Sequence, residues 1–109
     1  MASVTWDDPL DPAEDKDYSL DWSAEMTAVS DTILSSTWAL SPAAIAAGVE
    51  SDQSSFDTTS TTLWLQVNPA NQSDAAFDGA GSTFEATNTI TTTGGRTYER
   101  SAEFTVRQL

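Results

Sequence analysis

The sequence predicts an all-β fold in which two antiparallel sheets pack face to face. Apolar and polar residues alternate over short runs, as they do in strands that bury one face. Turn-forming residues separate these runs at short intervals, and the sequence lacks long helical patterns. About seven strands can be counted in this way, which is typical of a single immunoglobulin-like β-sandwich.

The C-terminal segment gives the clearest alternation. The even-numbered positions of 84–90 share one face of a predicted strand, and those of 98–106 share one face of the next. Gly94 and Gly95 lie between the two strands, and glycine tolerates the positive φ angles of a tight hairpin turn. A phosphate-binding loop would need another glycine spacing followed by a helix, whereas a strand follows here. The two glycines are therefore predicted to form a structural turn.

The same period of two predicts the earlier strands. Strands are expected within residues 2–6, through "DYSLDWSAEM", through "DTILSSTWAL", around Phe56 and over 61–67. Ile33 is expected to reach the core through a bulge. The other residues of these strands expected to face the core are Tyr18, Leu20, Trp22, Leu34, Trp38, Leu40, Leu63, Leu65 and Val67.

Three connecting segments break the alternation. In "SPAAIAAGV", Ser41 and Pro42 fit the start of a short helix that Gly48 would end, but an irregular crossover between sheets fits equally well. Residues 1–17 are expected to form an extended acidic arm, and residues 68–82 a long surface loop.

Length and composition exclude several classes of protein. A chain of 109 residues is expected to fold as one domain, residues 1–109. It contains neither cysteine nor histidine, so disulfides, thiolate metal ligands and the usual neutral-pH general base are absent. We expect no catalytic residues, no cofactor and no metal. Two catalytic carboxylates remain formally possible, but nothing in the sequence selects a pair.

The charge balance bears on possible partners. The chain has seventeen acidic and four basic residues, which gives a net charge of −13. The negative electrostatic field of such a chain repels nucleic acid and anionic membranes. No apolar run is long enough to span a membrane, and the N-terminus does not resemble a secretion signal. The acidity is compatible either with a need for solubility or with docking to a basic protein surface.

The acidic arm is a candidate calcium site because calcium prefers several oxygen ligands. Its acidic residues follow no EF-hand spacing, and two prolines stiffen the segment, so an ordinary solvated loop is expected. These residues are Asp7, Asp8, Asp11, Glu14, Asp15 and Asp17.

Two sets of side chains are candidates for contacts. Trp22 and Trp38 share faces with leucines and are expected in the core, whereas Trp64 lies on the opposite face from its leucine neighbours. An outward tryptophan can anchor a protein partner or stack on a sugar.

Cross-strand ion pairs with Glu99 and Glu103 are expected for the arginines near the C-terminus, which are Arg96, Arg100 and Arg107. Arg100 lies on the apolar face and must reach the rim or pair with a carboxylate.

Four motifs resemble a known family. "DYSLDW", "DTILSSTW", "TTLWL" and "TNTITTTGGRTYER" occur in the order found in small proteins encoded in the structural modules of tailed bacteriophages. The resemblance covers nearly the whole chain from Asp17 onward. Such proteins are described as fibre-tail adaptors or as minor head or tail proteins with an immunoglobulin-like sandwich. The resemblance implies a non-enzymatic virion component, assembled in the bacterial cytoplasm and present in symmetric copies.

The expected partners are therefore capsid, neck, tail or fibre proteins of the same virion. We expect an adaptor between the tail or neck and the fibres, with an outer capsid cement or decoration protein as the alternative. A carbohydrate-binding module and a small hydrolase are two further classes, and the absence of histidine disfavours the hydrolase. The residues expected to contact partners are Trp64, Phe77, Asp7, Asp8, Asp11, Glu14 and Asp15.

Overall fold

The computed structural model describes residues 4–109, which form two packed sheets. One sheet has the strand order β1-β7-β6-β3, and the other has the order β2-β5-β4. The strands are β1 (Val4–Thr5), β2 (Lys16–Asp21), β3 (Ile33–Leu40), β4 (Val49–Phe56), β5 (Ser60–Val67), β6 (Ser82–Thr92) and β7 (Thr97–Val106). The helices are α1 (Ser23–Val29) and α2 (Pro42–Ala46), with two short 3₁₀ turns at Pro69–Asn71 and Ala75–Phe77.

This arrangement confirms the predicted sandwich. The orders β2-β5-β4 and β7-β6-β3 correspond to the B-E-D and G-F-C orders of immunoglobulin domains. Neighbouring strands are antiparallel, except that β1 runs parallel to β7. The expected first strand is present at Val4–Thr5, and its positions 2 and 3 lie outside the described residues.

The core contains most of the residues that the alternation predicts. Leu34 is an exception, because the register shifts between Ile33 and Ser35. Ile33 is buried through this bulge, as predicted, while Leu34 remains 60% exposed. Trp38 and Leu40 are only partly buried and pack against the core. The buried residues that were predicted are Tyr18, Leu20, Trp22, Ile33, Leu63, Leu65, Val67, Phe84, Ala86, Ile90, Ala102, Phe104 and Val106.

Helix α1 replaces the second half of a predicted strand, so the strand interpretation of "DYSLDWSAEM" is wrong beyond Asp21. The Asp21 carboxylate accepts a hydrogen bond from the Ser23 N–H and redirects the chain. Trp22 and Met26, four residues apart, are both buried, as residues on one face of a helix are. Ser30, with φ of 51°, ends the helix.

Helix α2 confirms the helical alternative for "SPAAIAAGV". The Ser41 hydroxyl accepts a hydrogen bond from the Ala44 N–H, and Pro42 occupies the first turn. Gly48 has φ of 90°, and a side chain there would meet Asn71. The helix also carries the chain from β3 in one sheet to β4 in the other.

Candidate protein-contact surface

Several motif residues meet at Asn88, which is fully buried on β6. Its side-chain oxygen accepts hydrogen bonds from Trp22 Nε1 at 3.0 Å and from Thr61 Oγ1 at 2.8 Å. Its side-chain nitrogen donates to Ser36 Oγ and to the Thr37 carbonyl, both at 2.9 Å. All four hydrogen bonds of an amide side chain are therefore made. Asn88 links the two sheets and is a structural residue.

The "GGR" motif closes the β6–β7 turn against Asp31. The Asp31 carboxylate accepts hydrogen bonds from the Gly94 N–H and from Arg96 Nη1, both at 2.9 Å. Gly95 has φ of 87°, as a tight turn requires. Glycine at position 94 allows the Asp31 carboxylate to approach the backbone, because a Cβ atom there would lie 2.7 Å from Asp31 Oδ2. The turn is as predicted, but only Gly95 of the two supplies a positive φ angle.

The arginine partners also differ from the prediction. Arg100 Nη1 pairs with Glu25 Oε1 of α1 at 2.9 Å, and its guanidinium lies 4.5 Å from the Trp22 ring. Arg96 pairs with Asp31, as described above. The prediction of ion pairs with Glu99 and Glu103 is wrong for these two arginines, since α1 and the α1–β3 turn supply their partners. Arg100 does pair with a carboxylate, as its place on the apolar face requires.

The Asp31 contacts predict a pH dependence of stability. The Thr92 hydroxyl, the N–H groups of Thr32 and Gly94 and the Arg96 guanidinium lower the pKa of Asp31 to about 2. The unfolded chain has a pKa of about 3.9 for aspartate, so this stabilisation is complete above that pH and is lost as the pH falls through 2. We expect Asp31→Asn to lower the melting temperature at pH 6 and the difference from wild type to shrink towards pH 2. A difference that is the same at both pH values would contradict this assignment.

The acidic arm is held by its own carboxylates. Asp11 accepts hydrogen bonds from the Ala13 and Leu109 N–H groups, and these bonds lower its pKa, the Leu109 bond most. Asp8 and Glu14 lie 3.1 and 3.4 Å from Lys16 Nζ. These three acids therefore stabilise the arm. Within residues 4–109 no cluster of three or more metal-ligating side chains is found.

The loop over 68–82 is anchored by Phe77, which is fully buried in the core. Its carbonyl accepts a hydrogen bond from the Gln108 N–H at 2.8 Å, so the loop is tied to the C-terminal segment. Phe77 was predicted to be an apolar contact residue, and its burial makes that prediction wrong. Loops lack the periodicity that would have indicated burial.

Trp64 lies on the outer face of the β2-β5-β4 sheet and is partly exposed. Its direct neighbours across the sheet are Asp17 on β2 and Gln53 on β4. Asp15 precedes β2 and Asp52 lies on β4, so they lie on the two sides of β5. A hydrogen bond to the Asp52 carboxyl group, then desolvation and repulsion between the two carboxylates, raise the pKa of Asp15. We call these five residues the Trp64 face.

The Trp64 face carries no compensating cation of its own. Lys16 is the basic residue of β2, and its ammonium group binds Asp8, Glu14 and the Pro9 carbonyl. From Asp17 to Gly95 the sequence contains neither lysine nor arginine. The face therefore combines an aromatic ring with several carboxylates, a combination that suits a positively charged ligand group.

A concave region lies on the outer side of the other sheet. It is an open cleft of about 430 Å³ lined by residues of α2, β6 and β7. Glu85 and Glu103 lie there directly opposite each other on adjacent strands. Like charges in this arrangement repel.

No helix within the described part of the chain is long and apolar enough to cross a membrane.

Fold and surface together define a small immunoglobulin-like β-sandwich whose motif residues hold the two sheets and the turns in place. Residues 10–105 match the family model described as Podophage GP4 fiber-tail adaptor protein gp77. The chain therefore belongs to this family of phage fibre-tail adaptor proteins, which confirms the resemblance in the motifs. The family is a structural one, found in the virion and in contact with other virion proteins. No curated protein sequence matches the chain.

Proposed function

We propose that this single-domain protein is a non-enzymatic adaptor that links the tail or neck of the virion to its fibres. It is made in the bacterial cytoplasm and is carried in symmetric copies on the particle. The observation that supports a docking role is the Trp64 face, where an outward aromatic ring lies among carboxylates without an internal cation. The partner on this face is a basic surface of a tail, neck or fibre protein.

The chemistry of the Trp64 face explains how such docking works. An arginine of the partner would stack on the Trp64 ring while Asp17 accepts its N–H groups. A positive group that approaches Asp15 would lower its raised pKa, because an opposite charge favours the ionised carboxylate. The carboxylates supply orientation and association rate, and the ring supplies most of the affinity.

The proposal relies on only some of the predicted contact residues. Asp8, Asp11 and Glu14 already have partners within the chain, and Phe77 is buried. The proposal therefore rests on Trp64 with its neighbouring carboxylates. Asp7 is exposed and remains a candidate at the edge of the acidic arm.

The test uses purified particles assembled with Trp64→Ala. Loss of a central aromatic anchor costs about 2 kcal/mol or more, so particles should retain clearly less of the variant than of the wild type. Ile45→Ala is the matched control, because Ile45 is 63% exposed on α2, outside the Trp64 face. Quantification of the retained protein on washed particles gives the result, with melting curves of both variants to verify folding.

Unchanged retention of folded Trp64→Ala would contradict docking through this face. A double variant, Asp15→Asn with Asp52→Asn, should weaken retention more at low salt than at high salt, since screening removes charge steering. A cryo-EM map of the particle would locate the protein. Density at the junction of tail and fibre supports the adaptor role, whereas density on the capsid surface would favour the decoration alternative.

A further inference from the structure

The opposite sheet covers only the beginning of strand β4. Val49, at its start, is buried, but the later inward positions Ser51, Ser54 and Phe56 are exposed. Each of these three lies directly opposite a buried residue of β5, so each points to the inner side of its sheet. The inner side of β4 therefore lacks a covering strand from the opposite sheet.

The opposite sheet ends at β3, whose outer edge has free backbone groups. Ser41 donates its N–H to the Glu85 carbonyl on β6. Because hydrogen-bonded and non-hydrogen-bonded pairs alternate in antiparallel strands, the N–H and C=O groups of Ser36, Trp38 and Leu40 point away from β6. No strand in the described part of the chain pairs with this edge. A strand added here would lie over the inner side of β4.

The space between this edge and β4 is bounded at one end. The Ile33 N–H donates to the Thr58 carbonyl in the β4–β5 turn, which closes the edge there. Leu34 and Phe56, beside this hydrogen bond, are 60% and 45% exposed. Two large apolar side chains thus lie at the closed end. We call the region formed by 35–40 of β3, Leu34 and the inner side of β4 the β3–β4 slot.

The free edge of β4 is less suited than that of β3 to pairing with an added strand. The β4 ladder is interrupted by a register shift between Ser51 and Gln53, and Asp52 lies at that shift. Bulges and charges are the features by which natural sheets block edge pairing. The β3 register is regular from Ser35 to Leu40, and this stretch contains no charged residue.

The charge of the chain indicates the chemistry of the occupant of the slot. Asp57 follows β4 at the closed end of the slot, whereas Glu50 and Asp52 of β4 lie on the outer side of the sheet. Hydrogen bonds from the N–H groups of Thr59 and Ser60 lower the pKa of Asp57, so this group stays ionised. Two copies of the chain, each with a net charge of −13, repel one another. A segment with basic residues is attracted instead.

We propose that the β3–β4 slot accepts an extended segment of another virion protein, in which lysine or arginine alternates with apolar residues. Backbone hydrogen bonds to β3 supply affinity, and apolar side chains that cover Ser54 and Phe56 supply specificity. The inference shares with the proposed function the premise that the chain docks to virion proteins. It uses a surface distinct from Trp64 and gives the adaptor a second attachment point.

The probe is a synthetic peptide of alternating lysine and valine, as long as the free stretch of β3, titrated against the full chain by calorimetry. Ser54→Arg places a bulky cation in the slot and should weaken binding at least tenfold, about 1.4 kcal/mol. Ser55→Arg is the matched control, because this exposed neighbour points to the outer side of the same strand and should leave binding unchanged.

Three outcomes would overturn the proposal. These are no binding of the peptide at about 1 mM, equal weakening by both arginine variants, and a dimer of the free chain that Ser54→Arg dissociates. Slowed amide exchange at Ser36, Trp38 and Leu40 on binding would support strand addition. Trp64→Ala should bind the peptide normally, so failure of this inference is distinguishable from failure of the docking role of Trp64.

Discussion

Replacing Asn88 with alanine is expected to lower the free energy of unfolding by about 3 kcal/mol or more. The variant leaves Trp22 Nε1 and Thr61 Oγ1 without the acceptor that they share in the core. A buried donor without a partner costs about 1–3 kcal/mol. The Ser36 hydroxyl and the Thr37 carbonyl also lose a donor. The expected effect is large because one side chain satisfies groups from both sheets.

Chemical denaturation of Asn88→Ala and Thr89→Ala provides the comparison. Thr89 follows Asn88 on β6 but points outward and is only partly buried, so its truncation should change stability by about 0.5 kcal/mol or less. Equal midpoints for the two variants would show that the Asn88 network contributes no net stability. Asn88→Asp should also be less stable than the wild type, because a carboxylate cannot donate a hydrogen bond to the Thr37 carbonyl.

The position of Asn88 explains how the fold manages without a disulfide. Antibody domains join strands B and F by a disulfide between the sheets. Here β2 and β6 occupy those places, and the chain contains no cysteine. The hydrogen bond from Trp22, directly after β2, to Asn88 on β6 connects the same part of the sandwich.

Alternation predicted the strands well where one face is buried and the other is solvated. It placed Asn88 on the buried face and Trp64 on the outer one, and both placements are confirmed. It did not identify the partners of Asn88, since Thr61 and Ser36 are distant in sequence and only the tertiary fold brings them together. Helix α1 was missed because Trp22 continues the alternation of β2.

The candidate contact residues were harder to predict because most of them lie in loops. An acidic residue in a loop has the same sequence signature whether it is solvated or bonded. Asp11 binds the Leu109 N–H at the other end of the chain, and Asp8 and Glu14 bind Lys16. Only the folded structure separates these acids from Asp17, which lies directly opposite Trp64, and from Asp15, whose pKa is raised by Asp52.

Phe77→Ala should show the other large effect, a loss of about 3–5 kcal/mol in the free energy of unfolding. The ring is completely buried and belongs to the main core cluster. Its removal takes away apolar contacts and leaves a cavity that the surrounding strands can fill only in part. The 68–82 loop and the C-terminal segment, joined by the bond from Gln108 to the Phe77 carbonyl, should loosen first.

Leu34→Ala is the matched comparison, because that side chain is also apolar but 60% exposed, and its truncation should cost about 0.5 kcal/mol or less. Melting and denaturant curves measure both variants, and hydrogen exchange at Gln108 reports on the loop. If Phe77→Ala is as stable as wild type, the ring is not a core residue and the original contact interpretation returns. If Phe77→Ala is destabilised as expected, particles that retain less of this variant do so because it unfolds. If particles retain less of a folded Trp64→Ala variant, the reason is the loss of a contact. Only the second result locates a docking surface.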